Sequence, residues 1–147
     1  MQYTYAKQGR TFVIRLEDGD VIHECIERFV AEKNIASAYF YGIGGVDKGS
    51  NLICGPEQGR SQQIKPMEVL LSEVHEATGN GTVFPDSEGN ARVHMHLSCG
   101  RGSNSLTGCI RKGVYVWHVF EIVLVELTDN DARRMPDEAT GFELLSV

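Results

Sequence analysis

Two histidines at strand spacing and a thiol one hairpin away are the residues in this sequence best suited to chemistry. His94 and His96 lie in the run Arg92-Val-His-Met-His-Leu-Ser-Cys-Gly100. On a strand, side chains alternate faces, so both imidazoles point the same way, about 7 Å apart by strand rise. That spacing suits two nitrogen ligands on one first-row metal ion. Val93, Met95 and Leu97 fall on the opposite face and read as core. An isolated pair of this kind also occurs as two solvated surface histidines, so a third ligand decides the reading. Cys109, in Leu106-Thr-Gly-Cys-Ile-Arg111, supplies it. A hairpin through residues 100–105 returns the chain beside the histidines. Two imidazoles and one thiolate form a zinc ligand set that leaves a fourth position for water or a ligand. The softness of that set favours zinc over magnesium or calcium.

Other donors rank lower. Cys99 has the wrong strand parity for the histidine face. His75, in Ser72-Glu-Val-His-Glu76, is a weaker fourth ligand candidate. His23 reads as a surface residue on a helix, and His118 as a core or interface histidine. Glu73, Glu76 and Glu121 are candidate bases or partners orienting a histidine. Arg101 and Arg111 flank Cys109, and with Glu121 they are the candidate ligand-binding residues. A guanidinium grips a carboxylate with two hydrogen bonds, so a small anionic ligand is the expected guest.

Other reaction classes find no support. Gly42-Ile-Gly-Gly45 is not the GxGxxG turn of a dinucleotide site. There is no phosphate-binding GxxxxGK[ST] loop and no GxSxG nucleophile elbow. The 147 residues carry 14 Lys+Arg against 20 Asp+Glu, a net charge of -6, with basic residues scattered. Nucleic-acid binding needs a basic surface, so DNA is a minority expectation. Apolar residues make up 41 %, which fits a globular chain of one domain, residues 1–147. No stretch is apolar for long enough to cross a bilayer, and the first residues lack a secretory pattern. The four cysteines form no CxxC pair. Together these features imply a reduced, cytoplasmic protein.

Thr11 to Glu17 alternates like a strand. Asp18-Gly19-Asp20 reads as a turn with an aspartate N-cap. Val21, Ile22, Cys25, Ile26, Phe29 and Val30 then mark one face of an amphipathic helix over Val21 to Glu32. Strands are expected over Ile35 to Tyr41 and Ser50 to Cys54. Met67 to Phe84 reads as strand broken near Ala77 to Asn80. Further strands are expected over Arg92 to Cys99, Leu106 to Arg111 and Val114 to Leu127, with an edge strand near Phe142 to Leu145. The expected class is α+β: a bent, antiparallel-rich sheet of six to eight strands with one main helix packed on it.

Taken in order, Gly42-Ile-Gly-Gly45, His94-Met-His96-Leu-Ser-Cys-Gly100, Thr107-Gly-Cys-Ile110 and the long strand with Glu121 resemble the PPC (plants and prokaryotes conserved) domain, formerly a domain of unknown function. The resemblance runs from about Tyr5 to Leu145. It implies a bent sheet with a helix across it and, for free-standing prokaryotic members, a homotrimer. Plant members carry AT-hooks that bind DNA, and bacterial members inherit a DNA-binding label by analogy. Here there is no Arg-Gly-Arg-Pro hook, only Gly100-Arg-Gly102. Where the family often has Gly-Gly-His, this chain has Thr107-Gly-Cys109, one zinc ligand replacing another. A cupin, the other fold with a strand HxH, is disfavoured because no glutamate follows His96 closely.

The leading expectation is a trimeric zinc-binding protein that takes a small anionic ligand. The alternatives are a zinc-dependent enzyme, a DNA-associated regulatory or assembly protein, and an assembly module without metal.

Overall fold

The computed structural model describes residues 1–61 and 64–147. Its elements are β1 (Lys7–Glu17), α1 (Ile22–Glu32), β2 (Ser37–Val46), β3 (Asn51–Pro56), β4 (Pro66–Leu70), β5 (His75–Pro85), β6 (Ala91–Arg101), β7 (Asn104–Lys112), β8 (Val116–Thr128), β9 (Arg133–Asp137) and β10 (Phe142–Ser146). Eight strands form one sheet in the order β1-β8-β2-β5-β6-β7-β3-β4, and β9 and β10 form a separate hairpin. Every pairing in the large sheet is antiparallel.

This corrects the α+β expectation. Among the described residues the fold is mostly sheet with one small helix of 11 residues, rather than a sheet with one main helix packed on it. The reason lies in the inner face of the strands. Phe40, Val83, Met95, Leu97, Phe120, Ile122 and Leu124 join residues of β3 and β7 in one continuous buried cluster. Eleven helical residues cannot cover eight strands, so most inner side chains pack against other strand residues. The helix contributes Ile22, Cys25, Ile26 and Val30 to that cluster.

Local details differ from expectation for identifiable reasons. The helix N-cap is Val21, with no side-chain cap. Both candidate aspartates are engaged elsewhere. Asp20 Oδ2 accepts from the Glu17 N–H at 2.9 Å, and Asp18 Oδ1 from the His118 N–H at 2.7 Å. The break within Met67 to Phe84 falls between β4 and β5, not at Ala77 to Asn80, which lies inside β5. Glycines are needed in that segment because the neighbouring strands approach closely. A Cβ on Gly79 would lie 2.2 Å from the His96 carbonyl oxygen, and one on Gly81 2.6 Å from Phe40. His118 is exposed rather than core. It has φ +61° and lies where the β2–β8 register shifts.

At the sheet rim, Glu126 is buried on the inner face of β8 and Arg10 of β1 closes over it. Arg10 Nε and Nη2 donate to the two carboxylate oxygens, both at 2.8 Å, and its backbone N–H adds a third bond at 3.0 Å. These bonds, the guanidinium's first, hold the Glu126 pKa at about 2.

Candidate metal centre

The centre is built on three adjacent strands. Cross-strand pairing sets Thr82 opposite His94, Asn80 opposite His96, and Cys109 opposite His96. Directly opposed residues share a face, so His94, His96 and Cys109 stand on the outer side of the sheet. Met95, Leu97 and Cys99 on β6 point inward and are buried. The β6–β7 hairpin pairs Arg101 with Asn104, leaving Gly102 and Ser103 as a two-residue turn, with Gly102 at φ +61°. Such tight turns demand positive φ and fix register. A slip by one residue would turn Cys109 inward.

The His94 and His96 Nε2 atoms lie 3.2 Å apart. Two nitrogens on a tetrahedral zinc are separated by about 3.3 Å, given bonds of roughly 2.0–2.1 Å. One ligand atom from each histidine and the Cys109 sulfur all fall within 4.8 Å of one another. Donor types and spacing therefore fit a zinc ion with three protein ligands. His94 is held below the usual imidazole pKa by burial, then by the charges of Arg134, His96 and Arg111. That favours the neutral ring, the form that binds metal.

Around the triad lie two clefts. One, of about 340 Å³, is mainly apolar and is lined by Ile53, Pro56, Ile64, Pro66 and Phe142. The other is mixed, and sets His23, Glu27, Arg134 and Glu143 among apolar residues such as Val93 and Leu144. His94, Cys109, Arg111 and Phe142 border both. Arg111 Nε donates to the Cys109 sulfur at 3.4 Å, and its guanidinium lies 5.9 Å from the centre of the Phe142 ring.

The remaining sequence candidates lie elsewhere. His75 is seven residues along β5 from Thr82, about 23 Å by strand rise, and its Nδ1 pairs with the Glu73 carbonyl at 2.8 Å. Arg101 Nη1 donates to the Val74 carbonyl at 2.9 Å, and with Glu73, Glu76 and Trp117 it borders a different cleft. Glu121 shares the outer face but lies on β8, three strands from β6, opposite Arg15. Inward-facing Cys99 is a buried thiol, raised to about 11 by desolvation and then by Cys54. Three residues bordering the clefts were not singled out for the site: Arg134, Phe142 and His23. Arg134 and Phe142 come from the β9–β10 hairpin, and β9 contacts β5. Part of the signal was present in the basic Arg133-Arg134 pair, but nothing local tied it to β5.

The family model of the Plants and Prokaryotes Conserved (PCC) domain matches residues 3–128. This chain belongs to the PCC domain family. The match ends before the β9–β10 hairpin. Among solved structures, the PCC chain is similar to the metal-containing protein from Archaeoglobus fulgidus, with a TM-score of 0.86, 23 % identity and complete coverage of both chains. It is also similar to a plant- and prokaryote-conserved protein from Pyrococcus horikoshii, with a TM-score of 0.84 and 23 % identity over 100 % of this chain and 99 % of that one. A third, from Bacteroides thetaiotaomicron, carries a provisional DNA-binding label. Its TM-score is 0.77, with 17 % identity over 96 % of each chain. At these identities the likeness establishes a shared fold. No curated protein sequence matches significantly. Among the described residues, no helix is long and apolar enough to cross a membrane.

Proposed function

We propose that this PCC domain is a zinc-binding homotrimer that holds a small anionic ligand at the His94–His96–Cys109 centre, in the cytoplasm. The observation that carries this reading is the convergence of two imidazoles and one thiol within 4.8 Å on a register-locked hairpin. Three protein ligands leave one position for a guest, and Arg111 supplies a cation beside it. The metal-containing description of the Archaeoglobus fulgidus relative agrees with it.

Association of copies is favoured by the outer face of the sheet, and the number three comes from the family resemblance alone. Val13, Val123 and Tyr41 lie in one cross-strand row, flanked by Tyr39 and Ile43. Val13 is 85 % exposed and Tyr41 54 %. Exposed apolar residues gathered on one face favour burial against another copy.

The enzymatic alternative is less well supported. Glu73, Glu76 and Glu121, the candidate bases, are not beside the triad, and among the described residues no carboxylate joins its cluster. The DNA reading draws on the label of the Bacteroides thetaiotaomicron relative, but the net charge of -6 opposes it.

Elemental analysis and light scattering of the purified chain test the proposal together. The expected result is one zinc per chain, lost in His94→Ala and Cys109→Ser, and a mass three times that of the chain. A protein that resists zinc loading would remove the metal centre. A monomer would remove the assembly.

A further inference from the structure

The most unusual charge in the molecule is Arg134. It is only 8 % exposed, yet it makes no ion pair among the described residues. Its Nη2 donates to Thr82 Oγ1 at 3.2 Å, and its Nε is enclosed without a partner. Thr82 is the cross-strand neighbour of His94, so this guanidinium is docked beside the proposed metal centre. A buried cation whose donor is left unsatisfied is costly unless an anion completes it. The nearby acidic groups do not complete it: Glu27 Oε1 accepts from the Val93 N–H at 3.0 Å, and Glu143, on β10, is close enough to act on the guanidinium electrostatically but makes no hydrogen bond or ion pair with it among the described residues. Arg111 stands on the same wall. Its Nε is used by Cys109, while its terminal nitrogens make no hydrogen bond among the described residues.

We propose that Arg134, with Arg111, anchors the carboxylate of a small organic acid whose apolar body occupies the adjoining cleft. This deepens the ligand reading above and takes its location from the metal centre. Three features select the class. A guanidinium offers paired donors that match a carboxylate. A carboxylate oxygen is also an acceptable zinc ligand at the open position. The cleft of about 340 Å³ is walled by Ile53, Pro56, Pro66 and Phe142, and its charged border residues Glu68 and Lys112 pair with each other, which leaves mainly apolar surface for an aromatic or branched body. The β9–β10 hairpin thus contributes to the site both a charge, from Arg134, and an apolar wall, from Phe142.

Calorimetric titration of the full chain tests this, with benzoate as the probe and acetate and inorganic phosphate as comparisons. Benzoate is expected to bind the zinc-loaded protein at least tenfold more tightly than acetate. Arg134→Met is expected to weaken benzoate at least tenfold, with Arg134→Lys in between and zinc content unchanged in both. Circular dichroism checks that each variant folds, and the exposed Arg111→Met carries the same test if Arg134→Met does not. Unchanged benzoate affinity in Arg134→Met, or phosphate binding without benzoate binding, overturns the proposal. So does a zinc-loaded wild-type chain that ignores benzoate, and that result leaves the metal reading standing. If the chain holds no zinc, Arg134-dependent benzoate binding to the metal-free protein sustains the carboxylate site while the metal reading falls.

Discussion

His96 and Cys109 stand directly opposite each other on β6 and β7, and the two-residue turn at Gly102 and Ser103 sets that register. Opposed residues place their Cβ atoms about 5 Å apart on one face, close enough for both side chains to reach a single ion. The candidate metal centre therefore depends on a turn that contributes no ligand.

One prediction follows from the turn. Gly102 adopts φ +61°, with open space around the position of a Cβ. A Cβ there meets nothing within 4 Å, so a side chain brings chiefly backbone strain of roughly 1–2 kcal/mol. Gly102→Val is expected to weaken zinc binding several-fold while the protein stays folded. Inserting one residue between Gly102 and Ser103 is expected to abolish binding, if the slip is carried along β7. Competition with a chromogenic chelator measures both. Insertion without loss of affinity would show that the turn does not set the centre.

A second prediction concerns the strand behind the histidines. A Cβ at Gly79 would lie 2.2 Å from the His96 carbonyl oxygen and 2.8 Å from Leu97. Backbone cannot yield as a flexible side chain does, so β5 and β6 must separate. Gly79→Ala is expected to cost about 1–3 kcal/mol, the usual range for overpacking. It should also lower zinc affinity, because it displaces the His96 backbone. Gly59→Ala, which meets nothing within 4 Å, is the control. Urea unfolding with a chelator titration separates the two effects.

Strand parity made the His94–His96 face and its hydrophobic reverse legible in the sequence, and the tight Gly102 turn brought Cys109 to it. Parity does not say which strands become neighbours. Glu121 has the right face but the wrong strand, since β2 and β5 intervene between β8 and β6. Arg101 is close to Cys109 in sequence, but it lies at the hairpin end and points its guanidinium to the Val74 carbonyl. Arg134 and Phe142 reach the site through a separate hairpin, a long-range contact with no periodic signature. The helix was legible from its apolar spacing. Its weight in the fold was not, because the extent to which a sheet packs on itself is a tertiary property.

A third prediction bears on the nucleic-acid label. Phosphate binding releases counterions and falls steeply with salt. With a net charge of -6, the chain is expected to show no duplex-DNA binding at about 150 mM salt, in the range where non-specific binders reach only about 10⁻⁴–10⁻⁶ M. Fluorescence anisotropy with a labelled duplex tests this. Binding that strengthens as salt is lowered and reaches micromolar affinity near 150 mM would place a basic surface on the assembled protein.

The Arg10–Glu126 pair gives the last prediction, one on pH. Glu126 sits at about 2, depressed below its ordinary 4.5 chiefly by the hydrogen bond from Arg10. A carboxylate with a lowered folded-state pKa binds its proton more readily in the unfolded chain. Its stabilisation is therefore fully present above the unfolded value and is lost as pH falls from about 4.5 through about 2. Glu126→Gln removes the charge but keeps the shape. It is expected to cost about 2 kcal/mol at neutral pH, the order of a charge-assisted hydrogen bond that faces solvent on one side. Wild type and variant should then converge in stability as pH approaches 2. Thermal unfolding between pH 7 and pH 2 measures the gap. A gap that stays constant over that range would mean that the carboxylate's charge contributes nothing and that the loss comes from packing.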